Sequence, residues 1–218
     1  MGGADRVTRA VLVAALAAGV SYLAVDEVTL PPAMSLAWKG AGLGLLAVFA
    51  AIRARGFDGW LVFTVMAAGA AGDVLLGAAG FIVGGGAFLI SHIVAIGLYL
   101  RNRREGLSWP DRLFAGMLIP VTVLAAFMLL AERGRAPGVA VYATGLSCMA
   151  ASAWISRFSR DRVALGALMF LASDLLIFAR SGPLAGLAWV GFAVWSLYFA
   201  GQALICMGVV DTLGREGR

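Results

Sequence analysis

A single histidine and two cysteines are all the imidazole and thiol side chains this sequence offers to a metal. His92 alone cannot build the three-His zinc site used by several membrane hydrolases. Cys148 and Cys206 both sit inside apolar runs, without metal-ligand spacing, and no disulfide framework is indicated. Charge is scarce as well: 13% of the residues are charged against 61% hydrophobic, where a soluble domain carries about 25% charged residues. That excludes a water-soluble fold and makes lipid the solvent for most of the surface. The net charge of +5 would suggest nucleic acid in a soluble protein. Here the arginines lie between apolar runs, so they read as topology signals and headgroup contacts, and no nucleic-acid partner is expected. Two further chemistries lack their signatures. Gly145-Leu146-Ser147-Cys148-Met149 misses the final glycine of a nucleophile elbow. Gly84-Gly85-Gly86 has neither the strand nor the Lys-Ser/Thr of a phosphate loop, and suits close helix contact instead. A His/Met haem pair is conceivable from eight methionines, but nothing in the pattern calls for a cofactor or a metal.

What is present is a series of apolar runs. A spanning helix needs about 20 such residues, and the runs cover 7–25, 33–52, 57–77, 81–100, 112–131, 137–156, 163–180 and 184–209. They predict an all-α membrane protein of eight transmembrane helices, forming a single domain over 1–218. The breaks have physical causes: Pro31-Pro32, Gly56, Gly80, Gly106, Gly134 with Pro137, and Gly182-Pro183 all disfavour helix continuation. Pro110 and Asp111 suit a helix start, and Pro120 would kink the fifth run. Arg6 and Arg9 before the first run also fit a cleaved leader, although its apolar stretch is long for one.

Charge placement supports the number of spans. With the amino terminus inside, the inner segments carry Arg6, Arg9, Arg53, Arg55, Arg101, Arg103, Arg104, Arg112, Arg157, Arg160, Arg162, Arg215 and Arg218, thirteen cations. The outer segments carry three, Arg133, Arg135 and Arg180, and the first outer loop has only Asp26 and Glu27. This bias predicts both termini in the cytoplasm of a multi-pass protein of the bacterial inner membrane. A faint repeat links Gly72-Asp73-Val74-Leu75-Leu76 to Ser173-Asp174-Leu175-Leu176-Ile177. Four helices separate the aspartates, which would suit two parallel four-helix halves.

Polar residues inside spans are the natural carriers of function, because an Asp, Lys or Arg at a helix centre costs about 2.5–3.5 kcal/mol on insertion scales. Lys39, the only lysine, stands about two turns into the second run, roughly 9–10 Å along the axis. It could snorkel to headgroups or serve a site. Asp73 follows the small-residue track 67–72, which would let a neighbouring helix cover it, and an ion pair with Lys39 is geometrically reasonable. His92 shares a helix face with Phe88 and Tyr99, the setting of a packing histidine as well as of a proton relay. Asp174, with Ser173 beside it, lies at mid-membrane and is the hardest to explain structurally. Tyr142, Tyr198 and Gln202 complete the set, the last two being one turn apart. Each alone could be an interhelical hydrogen bond. Together they sit on six helices between the outer interface and the midplane, with Gln202 somewhat deeper, and would line one polar cavity. One carboxyl would be held neutral by burial and the other ionised near Lys39, so that acid and base coexist.

The chain resembles the lysoplasmalogenase family, known in bacteria as YhhN-like and with animal members. The resemblance rests on Gly72-Asp73-Val74-Leu75-Leu76, Gly86-Ala87-Phe88 through Ser91-His92, Val141-Tyr142 with Met149, Gly166 through Phe170 with Ser173-Asp174, and Tyr198 with Ala200-Gly201-Gln202. Lys39 fits the family's lysine in the second helix. The family commonly has Lys-Pro there, whereas Gly40 follows here, and the tyrosine usual shortly after the histidine is displaced to Tyr99. The resemblance implies hydrolysis of the vinyl ether bond of lysoplasmalogens, to a fatty aldehyde and a glycerophospho-alcohol. The partners would be a lysophospholipid drawn from the bilayer and the surrounding lipids. Such cleavage needs a neutral acid to protonate the β-carbon, an anion to stabilise the oxocarbenium ion, and a base for water, as in glycoside hydrolysis. Asp174 is the expected acid and Asp73 the expected stabiliser and base, with the roles exchangeable. His92 would orient or relay. Lys39 would meet phosphate or tune Asp73, and Ser173, Tyr142, Tyr198 and Gln202 would bind substrate or water. The residues alone leave two other readings open: a proton-coupled transporter or lipid-binding protein, and an assembly role with the polar groups as interhelical glue.

Overall fold

The computed structural model describes residues 3–130, 134 and 136–216. Eight α-helices follow in order: α1 Gly3–Ser21, α2 Pro32–Arg53, α3 Gly56–Ala78, α4 Gly80–Arg101, α5 Trp109–Leu129, α6 Ala136–Ile155, α7 Leu165–Arg180 and α8 Trp189–Glu216. A 3-10 segment, Tyr22–Glu27, extends α1, and a π turn, Arg160–Ala164, leads into α7. Eight helical segments are long and apolar enough to cross a membrane, so this is a multi-pass membrane protein. Among the described residues the only strand-like pairing is an isolated bridge between Arg103 and Ser156.

The expected spans are all present, with ends displaced for local reasons. Only the single residue Ala79 separates α3 from α4, a reversal that uses Gly80 at φ 82°. α5 starts at Trp109, three residues before the predicted 112, because the Ser108 side chain accepts from the Asp111 amide and Pro110 occupies the first turn. The helix continues through Pro120 without interruption. The eighth helix departs furthest from expectation. Residues 181–188 turn instead of opening it, with the Leu184 amide donating to the Ala179 carbonyl and Gly186 at φ 79°. It then runs on to Glu216, beyond the apolar limit at 209, because a helix leaving lipid needs no hydrophobic sequence. Arg133, Arg135 and Arg218 of the charge count lie outside the described residues, as do the side chains of Asp26 and Glu27.

Two compact units emerge: Met1–Ala95 with Cys206–Arg218, and Ile96–Ile205. They do not coincide with the two four-helix halves suggested by the aspartate repeat, since the division falls inside α4 and inside α8. In the first unit Leu43, Leu46 and Ala50 of α2 and Val62 and Met66 of α3 are buried with Ala15 of α1 and Cys206 and Val209 of α8. The Cys206 thiol lies 3.7 Å from the Leu46 carbonyl. In the second unit Ala126 and Leu130 of α5, Val139 and Ala143 of α6 and Phe178 of α7 form one apolar cluster.

Lipid tails are as apolar as leucine, so helices associate here by close packing more than by burial of apolar area. Glycine makes that packing possible at defined points. A Cβ on Gly166 of α7 would fall 2.5 Å from the Gly201 carbonyl oxygen of α8, and one on Gly201 would fall 2.6 Å from the Gly166 oxygen. Neither obstacle is a movable side chain. Gly166→Leu or Gly201→Val should therefore destabilise the protein by roughly 1–3 kcal/mol, the usual cost of overpacking. Gly97→Ala, where the space is open, should not. Thermal unfolding in detergent distinguishes the three variants, and an unchanged midpoint for Gly166→Leu would refute the close contact.

Candidate functional site

Three of the expected residues belong to the first unit. Lys39 is half-buried on α2, Asp73 is buried on α3 and His92 is buried on α4. α2 and α3 touch where Gly40 meets Val74: a Cβ on Gly40 would lie 2.7 Å from Val74 Cγ2. This accounts for the glycine that follows Lys39, because any larger residue would push α3 away. Lys39 and Asp73 immediately flank that contact in sequence, yet no ion pair joins them among the described residues. α3 and α4 pack antiparallel. Gly84 sits against Leu76, Gly72 against the Phe88 ring, and Ser91 Oγ donates to the Val65 carbonyl at 3.0 Å. Phe88 and Gly72 thus close over the helix beside Asp73, and Ser91 fixes the turn that carries His92.

The other five lie in the second unit. Tyr142 of α6 donates to Asp174 Oδ2 of α7 at 2.6 Å. Asp174 is 4% exposed, and this phenol comes from the edge of the apolar cluster. Phe178, one turn after Asp174, meets the Tyr142 ring edge-on with centroids 6.3 Å apart, which sets the direction of the hydroxyl. The Ser173 hydroxyl donates to the Val194 carbonyl at 3.0 Å, tying α7 to α8. Tyr198 is framed by Phe170 at 5.1 Å and Trp195 at 5.5 Å between ring centroids. That aromatic frame was not anticipated from the sequence, although the three-residue spacing of Trp195 and Tyr198 was a signal for it.

Gln202 is the exception to internal pairing. Its side chain is 1% exposed, and neither Oε1 nor Nε2 has a hydrogen-bond partner among the described residues. An unpaired buried amide ordinarily costs about 1–3 kcal/mol. The α7–α8 register follows from Gly166 against Gly201, Phe170 against Tyr198 and Ser173 against Val194. Gln202 therefore lies near the Gly166 level and Asp174 near the Val194 level, on the order of 12 Å apart along the pair at about 1.5 Å per residue. Within this unit the polar residues form a graded line, with Tyr198 between the ends, and do not converge on one point.

Eight apolar helices, with a carboxyl–phenol pair and an amide buried among them, define a multi-pass integral membrane protein. Residues 34–209 match the model of the YhhN family. The lysoplasmalogenases of Mycobacterium bovis and Mycobacterium tuberculosis are each 32% identical to this chain over 222 residues, spanning 93% of it and 82% of the relative. The chain belongs to the YhhN family. No solved structure matches it.

Stability and site chemistry should separate at two positions. Replacing the unpaired amide by an apolar side chain, Gln202→Leu, should leave the unfolding midpoint unchanged or raise it. Ser91→Ala, which orphans nothing but removes a buried bond to Val65, should lower stability by about 1 kcal/mol. A clear loss of stability in Gln202→Leu would mean that the amide has an internal partner after all.

Proposed function

We propose that this protein hydrolyses the vinyl ether bond of lysoplasmalogen-type lysophospholipids, releasing a fatty aldehyde and a glycerophospho-alcohol. The observation that carries the reading is the likeness to two lysoplasmalogenases along 93% of the chain. The enclosed Asp174–Tyr142 pair supplies chemistry that suits it. A proton moves from Asp174 to the β-carbon of the vinyl ether, and the α-carbon becomes an oxocarbenium centre. Asp73 stabilises that cation and takes a proton from the attacking water. The hemiacetal then collapses: the carbon–oxygen bond to glycerol breaks, Asp73 returns its proton to the glycerol oxygen, and the hemiacetal hydroxyl proton restores Asp174. The net change is consumption of one water, with substrate and water giving one aldehyde and one alcohol.

In this reading Tyr142 holds Asp174 in the orientation that presents its other oxygen, and His92 orients a carboxyl or relays protons. Lys39 meets the phosphate or tunes Asp73. Tyr198 and Gln202 bind polar groups of the substrate, whose elongated shape suits their spread along α7 and α8. Ser173, whose hydroxyl donates to the Val194 carbonyl, would bind substrate or water through its remaining acceptor capacity. The substrate enters from the bilayer. The placement of arginines favours both termini in the cytoplasm and residence in a bacterial inner membrane.

Two measurements test these statements. Purified protein incubated with lysoplasmalogen should release aldehyde, while the saturated alkyl-ether analogue, which cannot be protonated at a β-carbon, should survive. Asp174→Asn and Asp73→Asn should each lower turnover by at least about 100-fold, in line with the usual contribution of a positioned acid or base. Near-normal turnover in both would eliminate the carboxyl mechanism. For orientation, single cysteines introduced at Arg55 and Arg215 in a background lacking Cys148 and Cys206 should be shielded from an impermeant thiol reagent in intact cells. Labelling of either would reverse the topology.

A further inference from the structure

The loop between α4 and α5 is built more rigidly than a simple connection requires. Asn102 accepts the Arg157 amide on its backbone carbonyl and the Arg157 Nε on its side-chain oxygen, both at 2.8 Å. The Arg104 amide donates to the Ile155 carbonyl at 3.0 Å, and Arg103 pairs with Ser156 in an isolated antiparallel bridge. Gly106 at φ 64° turns the chain, Leu107 plugs it at 7% exposure, and Ser108 caps α5. The loop is thereby fastened to the segment linking α6 and α7, and its side chains are presented in a fixed arrangement.

That arrangement forms an open recess of about 350 Å³ lined by Arg103, Arg104, Glu105, Gly106, Leu107 and Arg112. Its lining includes three arginines and one glutamate. The neighbouring acid, Asp111, is already committed: it accepts from Arg160 and from Trp154 Nε1 and lies 3.5 Å from Arg104. Arg160 is further held over the Trp154 ring at 4.7 Å. Arg103 and Arg112 are exposed, and no ion pair engages either among the described residues. Every cation of the recess is arginine, whose planar fork matches two phosphate oxygens at once, where lysine would offer only a point charge.

A second feature indicates where the anion comes from. Trp109, Leu113 and Met117 occupy one face of α5 at four-residue intervals and are 72%, 51% and 51% exposed. In a membrane-spanning helix this is a lipid-facing stripe. It begins with an interfacial tryptophan beside the recess and runs from there into the hydrocarbon. A phosphate in the recess would have acyl chains along the stripe.

We infer that the recess at the α4–α5 loop is a binding site for the phosphate of an anionic phospholipid, distinct from the polar residues of the proposed active site. The lipid it fits carries phosphate without a compensating amine, so phosphatidylglycerol is favoured over phosphatidylcholine. Bound there, it would bridge Arg103 and Arg112 and fasten the loop to the membrane surface.

The test counts bound lipid by native mass spectrometry of delipidated full-length protein titrated with phosphatidylglycerol or phosphatidylcholine of identical chains. One phosphatidylglycerol should be held about tenfold more tightly than phosphatidylcholine, a difference consistent with surface-arginine attraction. Arg103→Gln/Arg112→Gln should abolish the preference, and Arg6→Gln/Arg9→Gln should leave it intact. Glu105→Gln, which removes the one acid of the recess, should tighten phosphatidylglycerol about threefold, and it reads the same site should the double variant fold poorly. Equal binding of the two lipids, an unaltered preference in the arginine double variant, or weaker binding in Glu105→Gln would each overturn the proposal. Displacement of the lipid by millimolar glycerol 3-phosphate would reassign the recess to a soluble phosphate ester and overturn the lipid assignment.

Discussion

Inside a lipid-embedded bundle a polar group has no water to fall back on, and the architecture of this protein follows from that constraint. Backbone groups satisfy it by remaining helical. Side chains satisfy it by finding partners on neighbouring helices, as Ser91 does with Val65, Ser173 with Val194 and Tyr142 with Asp174. These bonds also set the register of the helices that they join. The same groups that must be hidden from lipid therefore position the chemistry, and the Asp174 carboxyl is held by its own concealment. Gln202 departs from the rule, with both polar atoms of its buried amide unpaired among the described residues.

The eight spans were legible because hydropathy reports the one property the bilayer selects. What it does not report is where a helix continues after leaving the hydrocarbon, which is why α8 runs past 209 to Glu216. Nor does it reveal turns made of apolar residues, which is why 184–188 looked helical. The candidate residues were found by the cost of burying them, a signal that is strong for Asp73, Asp174 and His92. That signal says nothing about direction. Ser173 was expected to bind substrate, and that its hydroxyl also donates to a carbonyl of α8 was not foreseen. The lateral partner of Asp174 was among the residues named, but the pairing of Tyr142 with it needed tertiary structure. The meaning of Gly40 was likewise invisible until Val74 was seen to occupy the space of its absent side chain.

A division of labour runs through the molecule. Polar side chains near the middle of the spans are few, buried and individually placed. At the loops between α4 and α5 and between α6 and α7, arginines are many and are organised by a backbone bridge, an asparagine and one engaged aspartate. The first group suits recognition of a single molecule in a dry environment. The second faces headgroups, where a dense positive charge is tolerable because water and anionic lipid screen it.

The carbonyl-to-carbonyl approach of Gly166 and Gly201 has a consequence for traffic through the protein. A seam that lacks room for one methyl group cannot admit a hydrocarbon tail. At that level α7 and α8 act as a sealed wall, and no acyl chain could pass between them there to approach Gln202.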